Sequence, residues 1–121
     1  MGATGVAADP TEYRARLQEQ SDEQIDAWTA ELMRDVVVRR GIVKVVGDFL
    51  RATGLEEREL ERVFALGGGP SAVVGHDAAG HLILPATTLH CLVPGLRSAV
   101  PDARQRLIEY LVENFDEIVY A

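Results

Sequence analysis

Residues 21–50, SDEQIDAWTAELMRDVVVRRGIVKVVGDFL, contain two successive helical patterns that decide the fold class of this chain. Ser21 can accept a hydrogen bond from the first turn of a helix, and Gln24 can reach back to the Ser21 backbone. After this capping pattern, apolar residues recur at helical spacing, namely Ile25, Trp28, Leu32 and Val36. We therefore predict a helix that continues to about Arg40 and buries Trp28 in its apolar stripe.

The second pattern begins after Gly41, where the apolar residues follow an i, i+3, i+4, i+7, i+8 order: Ile42, Val45, Val46, Phe49 and Leu50. β-Branched residues lower the helix propensity, and a strand competes for residues 36–38. The length of the periodic pattern favours a helix, and Gly54 is a suitable residue to end it.

Further helices are predicted on both sides of this stretch. Asp9-Pro10-Thr11-Glu12 is a helix start, and residues 56–66 place Leu60, Val63 and Phe64 on one face. Pro101-Asp102 opens a last helix to about Asn114, with a wide apolar face: Leu107, Ile108, Leu111, Val112 and Phe115. Such a width indicates burial on more than one side, against the bundle or against a second subunit.

Two apolar segments, 71–76 and 81–85, flank the sequence Asp77-Ala78-Ala79-Gly80. Asp at the first turn position and Gly at the fourth fit a type I turn closed by a bulge. In this register Asp77 lies opposite His81, and His76 lies opposite Leu82. The sequence thus predicts an α+β fold, mainly α, with four or five helices and a β-hairpin near residues 72–85 inserted before the last two. The first of these two is a short helix that Pro94-Gly95 would end.

Composition sets outer limits on the class of protein. The chain has 121 residues and a formal net charge of −7, so we expect one domain over residues 9–121 and a disordered tail over residues 1–8. A single cysteine allows no intrachain disulfide. No signal peptide or membrane-spanning segment is visible, so a cytoplasmic location is expected. The acidic charge disfavours binding to nucleic acid.

All three histidines and the only cysteine lie between residues 76 and 91, together with an aspartate. Asp77, His81, His90 and Cys91 are candidate catalytic residues, because a carboxylate, an imidazole and a thiol are the groups used in nucleophilic catalysis. His76 is a candidate ligand-binding residue. The spacing matches no zinc module, so no metal and no cofactor are expected. Alternatively, the histidines flank an exposed turn and Cys91 is a small buried apolar residue.

Two other motifs concern the binding of anions. Arg39 and Arg40 form the main concentration of positive charge and are candidate ligand-binding residues for an anion or an acidic partner. Gly67-Gly68-Gly69-Pro70 lacks the lysine of a phosphate loop and follows a helix, so it is interpreted as a linker.

Three functional hypotheses remain open from the sequence. The first is an accessory protein that binds a protein partner, or itself as a homo-oligomer, through apolar helical faces. The second is a small enzyme or small-molecule-binding protein that uses the window from Asp77 to Cys91. The third is a winged-helix regulator, disfavoured because the helix before the hairpin carries four glutamates between residues 56 and 61.

Overall fold

A computed structural model of the chain describes residues 9–68, 75–80, 82–83 and 86–116. Within these residues the chain forms six α-helices: α1 (Pro10–Gln18), α2 (Asp22–Arg40), α3 (Ile42–Thr53), α4 (Leu60–Leu66), α5 (Leu92–Ala99) and α6 (Ala103–Glu113). Short 3₁₀ helices, Glu57–Glu59 and Ala86–Cys91, lead into α4 and α5. The predicted disordered tail, residues 1–8, lies outside the described residues.

The predicted α+β class is wrong, because the described part of the chain is built from helices. Where an inserted β-hairpin was expected over residues 72–85, the described residues contain only two antiparallel two-residue strands, Gly75–His76 and Leu82–Ile83. His76 does lie opposite Leu82. A ladder of two residue pairs offers no sheet surface on which helices could pack. The turn sequence correctly predicted the local reversal of the chain at residues 77–80. It did not determine the length of the strands on either side.

The predicted starts of α1 and α2 and the predicted end of α3 are confirmed. Asp9 Oδ1 accepts a hydrogen bond from the Glu12 backbone N–H at 2.8 Å, and Ser21 Oγ accepts one from the Gln24 N–H at 3.1 Å. Gly54 ends α3 with a φ of 74°, a left-handed conformation that glycine adopts readily. These signals act within one turn of the chain, so the sequence is sufficient to locate them.

Helix α5 differs from the prediction that Pro94-Gly95 would end a helix, because it runs through both residues. Pro94 is the third residue of α5, in the first turn, where the backbone N–H groups have no helical acceptor. Proline therefore costs this helix no internal hydrogen bond. Gly95 lies beside the α4 backbone, a contact described below.

Trp28 was predicted in the buried stripe of α2, and this is wrong, because 37% of the residue is exposed. The buried face of α2 is instead formed by Ile25, Thr29, Leu32, Met33 and Val36. Thr29 can occupy this face because its Oγ1 donates a hydrogen bond to the Ile25 carbonyl at 2.8 Å. A satisfied hydroxyl removes most of the cost of burying a polar side chain.

Helix α6 lies at the centre of the helical assembly and contacts α1, α2, α3 and α5. Its apolar face packs mainly against that of α3, where the Phe49 and Tyr110 rings meet edge to face with centroids 5.6 Å apart. The wide apolar faces of these two helices are thus buried within the chain. These faces therefore do not support the expectation that the chain associates with a second copy.

Arginines connect helices that are far apart in sequence. Arg104 of α6 donates to the Gln18 carbonyl at the end of α1 and to the Asp22 carboxylate at the start of α2, each at 2.8 Å. The hydrogen bond from Arg104 lowers the pKa of Asp22. Arg14 of α1 forms a two-point contact with Glu109 of α6 at 2.8 and 3.0 Å. These contacts join α1 to α6.

Candidate functional site

A groove of about 360 Å³ lies between α2 on one side and the 3₁₀ helix Ala86–Cys91 with the start of α5 on the other. We call it the α2–α5 groove. Its lining is mostly apolar, and only Asp26, Arg34 and His90 carry charged or titratable side chains. The remaining lining residues are Ala27, Ala30, Met33, Leu89, Val93 and Pro94. Two helical walls and an apolar lining are features of surfaces that receive a ligand or a partner helix.

One end of the groove is fixed by an ion pair between its two walls. Arg97 of α5 contacts Asp26 of α2, with Nη2–Oδ1 at 2.6 Å and Nε–Oδ1 at 3.0 Å. The same guanidinium lies 3.6 Å from an oxygen of Asp22. Because a guanidinium that binds a carboxylate through two nitrogens has a fixed orientation, this pair sets the distance of α5 from α2.

The opposite side of α5 lies against α4 at backbone contact distance. A Cβ atom on Gly95 would overlap the carbonyl group of Val63, and one on Gly67 would overlap the carbonyl group of Cys91. Glycine is therefore required at both positions for the two segments to approach so closely. The close contact with α4 on this side leaves the other side of α5 to form a wall of the groove.

The groove has a buried floor and an open rim. Met33, Leu89 and Val93 are buried, whereas Ala27 and Pro94 on the two walls are exposed. Ala27 and Ala30 are three residues apart on α2, so their small side chains lie on neighbouring turns of one face. An occupant would therefore be covered on one side only, unlike a small molecule in a closed pocket.

Two of the predicted catalytic residues, His90 and Cys91, lie at or next to this groove. His90 is exposed and lines the groove, and its Nε2 lies 3.4 Å from Cys91 Sγ. Cys91 itself is fully buried, with 0% exposure. A thiol that attacks a substrate must be accessible to it, so this arrangement does not present Cys91 as a nucleophile. It fits the alternative interpretation of Cys91 as a small core residue.

Asp77, the third predicted catalytic residue that the structure describes, does not line the groove. Asp77 is exposed and stabilises the turn in which it lies. Its Oδ1 accepts a hydrogen bond from the Ala79 N–H at 2.9 Å, and its carbonyl oxygen accepts one from the Gly80 N–H at 3.0 Å. His81 lies outside the described residues, and for His76 only the backbone pairing is described. The proposed contact between Asp77 and His81 stays a prediction.

Arg39 and Arg40, the candidate anion-binding residues, are exposed at the end of α2. They lie in its last turn, where positive charge is favourable beside the negative end of the helix dipole. This position gives the two arginines a stabilising role, and neither lines the α2–α5 groove.

Sequence reasoning missed the apolar residues of the groove. Ala27 and Ala30 carried a usable signal, because small residues spaced by three recur beside the buried stripe of α2. Leu89 and Val93 carried no such signal, because Pro94-Gly95 predicted the end of a helix and not a helix that continues along a groove. Arg34 precedes Arg39 and Arg40 on α2, and no sequence pattern marks it as part of the rim of a groove.

A second polar cluster, away from the groove, has a structural role. Asp48 of α3 is 6% exposed, and its Oδ1 lies 3.0 Å from both Lys44 Nζ and Arg51 Nη2. Arg51 also contacts Glu113 of α6 at 3.3 Å. Burial, together with the nearby Asp48 carboxylate, raises the pKa of Tyr110. Since Asp48 is compensated by two cations, the cluster connects helices and presents no open reactive group.

Clusters of metal-binding side chains and helices able to span a membrane are absent from the part of the chain that the structure describes. There, no three or more His, Cys, Asp or Glu side chains are grouped so that they could hold a metal ion. None of the helices described combines the length and the apolar character that crossing a bilayer requires.

Comparison with known protein families, with curated proteins and with solved structures finds no match to this chain.

Proposed function

We propose that this chain is an interaction protein whose α2–α5 groove receives an apolar segment of a protein partner. The supporting observation is the groove itself, which combines a buried apolar floor of Met33, Leu89 and Val93 with exposed helical walls. A surface of this shape suits a helix that lays one apolar face between two others.

The alternative of a small enzyme has less support from the same region. Its catalytic set, Asp77, His81, His90 and Cys91, would need the thiol to be accessible, and Cys91 is fully buried behind His90. A nucleic-acid regulator is disfavoured by the net charge of −7. Self-association remains within the proposal, as the case in which the partner segment comes from a second copy of the chain.

Site-specific photo-crosslinking in the cells that produce the protein tests this function. A photoreactive benzoylphenylalanine replaces Ala27 inside the groove or, as the matched control, Ala65 on the exposed face of α4. We expect defined cross-linked products from position 27 and not from position 65. Ala30→Trp, which fills the groove, should abolish the products of position 27 while the far-UV circular dichroism spectrum stays unchanged.

The products also identify the partner. A cross-link to a second copy of the chain would establish self-association, and a cross-link to another protein would establish a separate partner. If position 27 gave no more products than position 65, or if Ala30→Trp left its products in place, the groove would not be the interaction site.

A further inference from the structure

The charges at the rim of the α2–α5 groove are not balanced. Asp26 at one end is already paired with Arg97 through two nitrogens, so its charge is compensated within the chain. Arg34, two turns further along α2, lines the groove and is exposed. Among the described residues it forms no ion pair or hydrogen bond. Among the charged residues that line the groove, Arg34 is therefore the one left to bind a carboxylate of an approaching segment.

The dimensions of the groove indicate the size of its occupant. Arg34 lies eight positions after Asp26, which corresponds to about 12 Å along α2. An approaching helix would contact this length with about two turns, that is, with apolar side chains at positions i, i+3 or i+4, and i+7. The small side chains of Ala27 and Ala30 allow such a helix to come close to α2.

The floor of the groove favours aliphatic or aromatic anchors. Met33 is unbranched and adapts its shape to the side chain packed against it, and Leu89 and Val93 form the rest of the floor. Burying an apolar anchor in this floor supplies the attraction, while an ion pair at the exposed rim mainly supplies direction and selectivity.

We propose that the partner segment is a short amphipathic helix that carries an aspartate or glutamate next to its apolar anchors and places that carboxylate on Arg34. The inference rests on the proposed function of the groove. The net charge of −7 does not oppose this contact strongly, because at physiological ionic strength charges further away than about 8 Å are largely screened. Arg34 lies at only one end of the groove. The position of the carboxylate in the partner segment therefore also fixes the direction in which the segment binds.

A displayed library of random helical peptides of 14 residues, selected against the full-length protein, tests this inference. The sequences enriched by the wild type are compared with those enriched by Arg34→Glu. Arg62→Glu on the exposed face of α4 is the matched control, because it makes the same charge change away from the groove. Ala30→Trp, which fills the groove, identifies the peptides that bind elsewhere.

We expect the wild type and Arg62→Glu to enrich peptides with two or three apolar anchors at helical spacing and an acidic residue at one end. Arg34→Glu should enrich basic residues at that position. It should also weaken binding of a wild-type-selected acidic peptide roughly tenfold in fluorescence anisotropy, since an attraction is exchanged for a repulsion. Ala30→Trp should enrich neither set.

The outcomes separate the two proposals. Apolar peptides that lose binding in Ala30→Trp but carry no acidic residue, and bind Arg34→Glu equally well, would overturn the role of Arg34 and leave the groove as the interaction site. Failure to enrich any peptide whose binding depends on residue 30 would count against the groove, and with it against both proposals.

Discussion

Helix α5 has two sides that use small residues in opposite ways. Towards α4, Gly95 removes a side chain so that two backbones can touch, and any added atom overlaps the carbonyl group of Val63. Towards α2, Ala27 and Ala30 face a gap of about 360 Å³ into which atoms can be added. A small residue therefore marks either the tightest contact or an open surface. Only the position of the neighbouring backbone distinguishes the two.

The largest expected effect comes from adding one methyl group on the closed side. Gly95→Ala should lower the free energy of unfolding by at least about 2 kcal/mol, because the contact with Val63 can be relieved only by moving α5 away from α4. Chemical denaturation monitored by circular dichroism measures the change.

The matched control for Gly95→Ala is Gly47→Ala on the exposed face of α3, where an added Cβ meets nothing within 4 Å. This substitution should raise stability by about 0.5–1 kcal/mol, because alanine favours a helix over glycine. Equal stability of Gly95→Ala and the wild type would contradict the backbone contact between α4 and α5.

The second-largest effect concerns the ion pair that joins α5 to α2. A double-mutant cycle with Asp26→Asn and Arg97→Gln should give a coupling energy of about 1 kcal/mol, near the upper end for partly exposed pairs, because the contact is two-pronged. Urea denaturation of the four proteins provides the measurement. A coupling energy of zero would show that the pair contributes nothing to holding α5 against α2.

A third substitution adds volume on the open side of α5. Ala30→Leu adds three carbon atoms, more than Gly95→Ala does, yet it should change the free energy of unfolding by no more than about 0.5 kcal/mol. Thermal denaturation with circular dichroism detection compares the variant with the wild type. A loss as large as that of Gly95→Ala would mean that the groove closes in solution.

The smallest effect is expected for Arg14–Glu109, a more exposed two-point pair that serves as a reference for Asp26–Arg97. The hydrogen bond from Arg14 lowers the pKa of Glu109 below its usual value of 4.5. The stability that this pair contributes is therefore present above pH 4.5 and is lost as the pH falls below it.

Glu109→Gln should accordingly cost about 0.3 kcal/mol at pH 7, and this difference from the wild type should shrink towards pH 3. Denaturation curves at several pH values measure it. Glu61→Gln on the exposed face of α4 is a suitable control, because it removes a carboxylate that forms no ion pair with the described residues. A difference that stayed constant with pH would show that the Glu109 charge contributes nothing.

The elements that the sequence predicted correctly depend on neighbours in the chain. The caps at Asp9 and Ser21 and the stop at Gly54 each act within one helical turn, so the residue types alone locate them. The apolar period also identified α3 and α6, whose buried faces meet in the core.

The elements that the sequence predicted wrongly depend on distant parts of the chain. Pro94-Gly95 has the local appearance of a helix end, and only the α4 backbone explains the glycine. Trp28 fits the helical period of α2, but Thr29 and Met33 turn the buried face away from it. Of the candidate site residues, His90 lines the groove, whereas the groove itself arises from the spacing of two helices and has no sequence motif.

The contacts between α1 and α6 have a consequence for the order in which the protein folds. Arg14 meets Glu109 across 95 positions of sequence, and Arg104 reaches the Gln18 carbonyl across 86. During synthesis α1 leaves the ribosome several seconds before its partner helix exists, at about 5–20 residues per second. We therefore expect α1 to dock late, after α6 has emerged, although it is synthesised well before α6.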